Sequence, residues 1–340
     1  MKLIRHTLTL HLAALFAALP LLAASGCAHA AGWDWLPGAA NAGAESYYRF
    51  LRACYEEIDE QPKKALGFMQ EAYALSGKSP YLRLETARLF SLNGDHQNGL
   101  KFADDAIAQA PGDSRNYFMA AMIAARNGLW DKAEKYYRDI LKLEPKNADA
   151  YMLLGALFRE TGKNGEAEAV YKQWTTADPG YLPYYYLGDF YHETGRNDEA
   201  VTALNQCIRR DPEFVTAHLE LAQLYEDADN KPGQEKMYRA LIKLLPDENK
   251  LKIRLGLLLL DSNRRAEASK AFRDAAASSE DPVRTHLQIG QLYVEKEAYA
   301  DAAKEFETAL KIDPAADQAL YLLSWILLKQ SNEAGAKNAD

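Results

Sequence analysis

The chain has 340 residues, 48% of them hydrophobic and 26% charged, and its 40 basic against 48 acidic side chains give a formal net charge of −8. That apolar content excludes a disordered polymer, and the acidic balance argues against a nucleic-acid backbone as partner. A single compact core rarely grows to this length, whereas stacked repeats that touch only their neighbours extend without limit.

In chain order, the first predicted element is a leader. Lys2 and Arg5 precede an apolar run from Leu8 to Ala24, interrupted by His11 and Pro20. A positive start, a short Pro-broken apolar stretch and small residues after it predict a secretory signal peptide over 1–26 rather than a membrane span. Ser25-Gly26-Cys27 resembles the end of a bacterial lipobox, with Ala24 standing where Leu is usual. The resemblance implies lipidation of Cys27, and Ala28 after it implies an outer membrane lipoprotein facing the periplasm, anchored by several acyl chains. Ala28-His29-Ala30 offers an A-x-A cleavage instead, releasing a soluble periplasmic chain that starts at Ala31. Residues 27–45 are rich in Ala and Gly without helical period and read as a flexible tether. Trp33 and Trp35 within it suit a lipid interface or a place against the first repeat.

Beyond the tether the chain repeats. Pro111, Pro145, Pro179, Pro212, Pro246 and Pro314 form a ladder at steps of 33 or 34 residues, with Glu280 in the skipped slot. Ala87, Ala121, Gly155, Gly188, Ala222, Gly256 and Gly290 form a second ladder. Gly99, Ala133, Ala167, Ala200, Gln234, Ala268 and Ala302 form a third, with Gln234 the misfit. Three ladders in register mean one supersecondary unit copied along the chain. In the copy at 148–180, Tyr151, Leu154, Gly155 and Phe158 mark one face of a helix. Gly162 breaks it, a second amphipathic stretch carries Ala167, Val170, Tyr171 and Trp174, and Asp178-Pro179 closes the copy.

Tyr184, Leu187-Gly188, Tyr191, Gly195, Ala200, Leu204 and Pro212 follow the order of the tetratricopeptide repeat, as do His286, Ile289-Gly290, Tyr293, Ala302, Phe306, Ala309 and Pro314. The chain resembles that family over residues 46–330. The resemblance implies an all-α, right-handed superhelical solenoid of about eight helical hairpins plus a C-terminal capping helix. Copies are expected near 46–79, 80–113, 114–147, 148–180, 181–214, 215–248, 249–282 and 283–316, with a cap over 317–330 and a disordered, solvated tail over 331–340. The first copy is the weakest, since Arg52 and Glu56 stand in apolar slots.

No motif for chemistry accompanies the repeats. The sequence lacks GxxxxGK[ST], GxSxG, CxxC and HExxH. Asp189, His192 and Glu193 come nearest to a metal cluster and lack a second His, while His218 and His286 occupy the aromatic slot of their copies and read as packed core. Neither a cofactor nor a metal is expected, and the chain reads as no enzyme. Cys54 and Cys207 lie more than four copies apart, too far for a bridge.

The family resemblance further implies that five slots of each first helix line a concave groove. In the N-terminal half these slots hold Tyr81, Leu84, Arg88, Arg115, Phe118, Met122 and Met152, then Leu182 and Tyr185, and the adjacent sixth slot adds Met119. Met beside aromatics suits an adaptable apolar peptide site. The wall then turns polar and acidic at Asp189, His192, Glu220 and Gln223, and basic at Arg254. The expected partner is a protein or peptide, a component of a pilus, secretion or polysaccharide-export machine, with the membrane engaged only through the lipid. The alternative is a holdase-like periplasmic binder of unfolded or cell-wall-associated chains; a remote alternative is an enzyme.

Overall fold

In the computed structural model of the chain, residues 42–76 and 79–337 are described. The leader, Cys27, Trp33, Trp35, most of the predicted tether and the last three residues lie outside that range. Every element within it is an α-helix or a turn. Two compact units meet between Gly162 and Lys163. Unit 1 runs through α1 (Ala42–Ile58), α2 (Pro62–Leu75), α3 (Pro80–Leu92), α4 (His96–Gln109), α5 (Ser114–Arg126), α6 (Trp130–Leu143) and α7 (Ala148–Glu160). Unit 2 runs through α8 (Asn164–Ala177), α9 (Leu182–Glu193), α10 (Asn197–Arg210), α11 (Val215–Asp227), α12 (Lys231–Leu244), α13 (Asn249–Asp261), α14 (Arg265–Ala277), α15 (Pro282–Glu295), α16 (Tyr299–Ile312) and α17 (Asp317–Lys337). Within each unit every helix packs on the one before it, and α3 also reaches α5.

The small-residue ladders are where helices meet. A Cβ on Gly188 would stand 2.8 Å from Leu204 Cγ, and one on Gly256 or Gly290 would stand 2.4 Å from the ring of Phe272 or Phe306. Those partners are 0% exposed, so a large side chain of the second helix fills the notch left in the first. Gln234, the misfit, is buried at 8% exposure, with its Nε2 directed to the Tyr238 hydroxyl at 3.4 Å. Arg52 and Glu56 resolve their apolar slots by pairing at 2.7 Å, with Glu56 3% exposed.

A fourth ladder is conformational. Glu60, Gly94, Gly128, Gly162, Gly195, Asp229, Asn263 and Glu297 all have positive φ, between 49° and 83°. Each ends the first helix of its copy in the left-handed turn that closes a helix C-terminus. After these residues the next N–H bonds the carbonyl five residues back, as from Leu129 to Ala124 at 2.9 Å and from Ala298 to Tyr293 at 2.8 Å. The aromatic slot of the first helix also recurs as a bond. Tyr117 and Tyr151 hydroxyls donate to the carbonyls of Pro111 and Pro145 at 3.0 and 3.3 Å, and His218 Nε2 lies 2.9 Å from the Pro212 carbonyl.

Both ends depart from expectation. The helix α1 starts at Ala42, inside the predicted tether, because Ala is the best helix former and Glu45 sits in the first turn, 2.8 Å from Arg49. The helix α17 runs to Lys337, past the predicted cap and into the predicted tail, since no Pro stands in residues 331–337 and the single Gly335 does not end it. As the capping helix, α17 leaves large side chains open: Tyr321 is 70% and Leu328 66% exposed.

Candidate partner-binding faces

The predicted wall residues project from the first helices of successive copies. In unit 1, Tyr81 at the start of α3 is 58% exposed, and its ring meets Phe50 of α1 edge-on at 5.9 Å. Leu84 is half-buried one turn on. Arg88, another turn on, is not a free cation. Its guanidinium grips Glu57 of α1 with two bonds of 2.7 Å and Glu85 with a third of 2.8 Å. Burial works against that charge, but the two carboxylates outweigh it and hold Arg88 protonated above its usual range. Arg115 is likewise engaged, at 2.6 Å from Asp113 in the turn before α5.

Phe118 and Met119 are half-buried on α5, and Met122, one turn after Phe118, is 43% exposed. Phe118 stands edge-on to Tyr137 of α6 at 6.2 Å, so one ring face is backed by its own hairpin. Met152 is half-buried on α7. Unit 1 thus presents apolar side chains that are supported from behind and partly open in front, flanked by arginines already neutralised.

Unit 2 is built differently. Tyr185 of α9 donates its hydroxyl to Glu220 of α11 at 3.0 Å. Phe214, in the turn before α11, stacks edge-on with Tyr185 at 5.1 Å and tilts against Tyr181 at 4.8 Å. The second carboxylate oxygen of Glu220 is buried and has no hydrogen-bond partner. Burial pushes the Glu220 carboxyl up to about 7; the Tyr185 hydroxyl pulls it down, and the charges of Asp189 and Glu193 push it further up. Leu182 and His192 are half-buried on the same helix as Tyr185. Gln223 is exposed, bonds Asp227 at 2.9 Å and shares with Arg254 the lining of a cleft of about 430 Å³. The structure therefore joins Tyr185 to Glu220 and places Gln223 and Arg254 along one cleft. Among the described residues no group of three or more His, Cys, Asp or Glu is placed to hold a metal ion.

Residues 118–181 and 287–336 match a tetratricopeptide repeat profile, and residues 188–228 match a TPR repeat profile. The chain carries tetratricopeptide repeats. The repeat protein shares 26% identity over 121 residues with interferon-induced protein with tetratricopeptide repeats 2 of Cricetulus griseus, covering 33% of this chain. It spans about a quarter of that relative's length (26%). Among solved structures, MamA is similar at 23% identity and a TM-score of 0.40, over 49% of this chain and 92% of that one. A tetratricopeptide repeat protein from Parabacteroides merdae is similar at 19% identity and a TM-score of 0.40, over 73% of this chain and 98% of that one.

Three contributors to these faces of the repeat protein were not foreseen. Glu57 and Phe50 lie in the weakest copy, whose slots the motif describes poorly. Phe214 lies in the turn between copies, where the motif assigns no wall slot. The signal for Glu57 was its distance of 31 residues from Arg88, one copy less three.

Proposed function

We propose that this protein is a non-catalytic scaffold or assembly factor of the bacterial envelope that holds an extended protein segment on its first-helix faces. The observation that carries the reading is the apolar row of unit 1: Tyr81, Leu84, Phe118, Met119 and Met122, with Tyr81 58% and Met122 43% exposed and the rings of Tyr81 and Phe118 backed by Phe50 and Tyr137. Side chains backed by their own hairpins lose little order when a ligand covers them. Thioether side chains fit ligands of varied shape.

Export and anchoring through Cys27 belong to the same proposal. The leader pattern over 1–26 and the Ser-Gly-Cys sequence support them. Among the described residues no helix is long and apolar enough to cross a membrane, so the lipid at Cys27 supplies the attachment in this reading. The component held is part of a pilus, secretion or polysaccharide-export machine.

The test is affinity capture from envelope extracts with wild-type protein and with Phe118→Glu/Met122→Glu, paired with intact-mass analysis of the mature N-terminus. A stoichiometric partner lost from the variant supports the reading. Unchanged capture by a variant of unchanged helicity refutes it, and a mature chain starting at Ala31 without added lipid mass refutes the anchor.

A further inference from the structure

A second face of unit 2, carried by α10, α12 and α14 with part of α13, bears a charge pattern that the proposed apolar row of unit 1 does not use. Lys236, Arg239 and Lys243 follow along α12 at spacings of three and four residues, which sets them on one side of the helix. They join three clefts. Lys236 meets Arg209 of α10 at the first. The second, of about 620 Å³, has all three cations around Pro212, Pro232, Ala240 and Leu244. The third, of about 610 Å³, sets Arg239 and Lys243 with Lys252 and Lys270 around Ile242, Leu255 and Leu259.

Most of these cations are unspent. Arg239 is held by Glu235 at 2.8 Å and Glu267 at 3.4 Å. Among the described residues, Arg209, Lys236, Lys243 and Lys270 have no carboxylate within ion-pair distance, and all four are exposed. In a chain of net charge −8, the row is a local reversal of sign.

We infer that this face docks an acidic segment of another protein, with carboxylates along the α12 cations and apolar side chains in the two larger clefts. Charge complementarity selects an anionic partner, and the clefts decide its class. A bilayer surface is too flat to reach concave apolar floors. A phosphate polymer gains nothing from those floors, and Glu235, Glu267 and Asp274 among the cations repel a uniformly charged chain. A peptide that alternates carboxylates with apolar anchors uses both features.

The test is selection of random displayed peptides on the full-length protein and on Phe118→Glu/Met122→Glu, which separates this face from the first-helix faces. Both baits are expected to enrich peptides that combine Asp or Glu with Leu, Phe or Trp and that bind more weakly as salt rises. Lys236→Glu/Lys243→Glu is expected to bind them about tenfold more weakly (about 1.4 kcal/mol). Lys236→Gln/Lys243→Gln gives the same readout with less perturbation if the reversal lowers helicity. Absence of acidic enrichment, or equal affinity in the neutralised variant, overturns the inference. So does tighter binding to phosphatidylglycerol vesicles or polyuridylate than to the selected peptides.

Discussion

Adding one methyl group at two helical glycines is expected to move stability in opposite directions. Gly67 lies inside α2, and a Cβ built there meets nothing within 4 Å. A helix interior prefers Ala to Gly by about 0.5–1 kcal/mol, so Gly67→Ala should stabilise by that amount. Gly290 lies inside α15, where a Cβ would stand 2.4 Å from Phe306 Cε1 and 2.8 Å from both Cδ1 and Cζ. Carbon atoms settle at about 3.5–4.0 Å, so the ring must retreat by more than about 1 Å. Phe306 is 0% exposed, and its retreat runs into packed neighbours. Overpacking of that kind costs about 1–3 kcal/mol. After the same helix gain is subtracted, the net loss is roughly 1 kcal/mol and at most about 2.5. Because stability in a stacked array is distributed, the assay is hydrogen exchange resolved to α15 and α16 alongside the thermal melt. Phe306→Leu should destabilise the wild type and relieve part of the loss in Gly290→Ala, giving a coupling of about 1 kcal/mol in the double-mutant cycle. If Gly290→Ala protects α15 and α16 as Gly67→Ala protects α2, the notch-and-filler account of the copies is wrong.

Four further outcomes follow from the geometry. Glu220 titrates at about 7 in the folded chain against an ordinary 4.5, so between those values the folded state keeps a proton that the unfolded chain has released. Stability should fall as pH rises through that window, and Glu220→Gln should flatten the fall in melts on either side of it. Glu168 is held down at about 2, first by Arg196 and then by Lys172, against its burial. Its contribution is present above pH 4.5 and lost as pH falls toward 2, so Arg196→Met should make acid unfolding less steep over that range. In the turn ladder, Gly128→Ala should destabilise by about 1 kcal/mol and Glu297→Gly should stabilise by a few tenths; equal shifts in their melts would contradict the left-handed assignment. Burial, as the main cause, pushes the thiols of Cys54 and Cys207 up to about 11 and about 12. Native protein near neutral pH should therefore resist iodoacetamide until denaturant is added, and rapid native labelling of either thiol would refute its raised pKa.

The hairpins were legible because two of their requirements are written in residue type. A close helix crossing needs Gly or Ala, and the end of a copy favours Pro, so both recur visibly. The turn that ends each first helix needs only a positive φ. Four copies meet that need with Gly, and Glu60, Asp229, Asn263 and Glu297 meet it without. The neighbouring turn bonds hold those residues in place; Asp229 and Asn263 are of types that tolerate the left-handed region, whereas the glutamates give no sign of it. The wall was harder to read for a different reason. Slot assignment locates Arg88, Tyr185 and Glu220, but neither Glu57 nor the bond between Tyr185 and Glu220, and these partners decide what Arg88 and Tyr185 do. Both partners come from adjacent copies, 31 and 35 residues away, so the pairing depends on how neighbours stack.

Such pairs obey an arithmetic of their own. Arg196 and Arg264 each directly follow a left-handed turn residue, and each reaches back to a glutamate on the second helix of the preceding copy: Glu168 at 2.6 Å and Glu235 at 2.5 Å. Each also holds a glutamate three residues ahead, Glu199 or Glu267, at 2.9 and 2.6 Å. The two backward separations are 28 and 29 residues, and the difference of one is the difference between the 33- and 34-residue copies they cross. A contact found once between adjacent copies therefore predicts its counterpart wherever the slots are filled alike. Where they are filled differently, as by Leu129 or Ala298 after their own turns, no such clasp can form. The copies share a backbone, and the side chains that join one to the next differ from joint to joint.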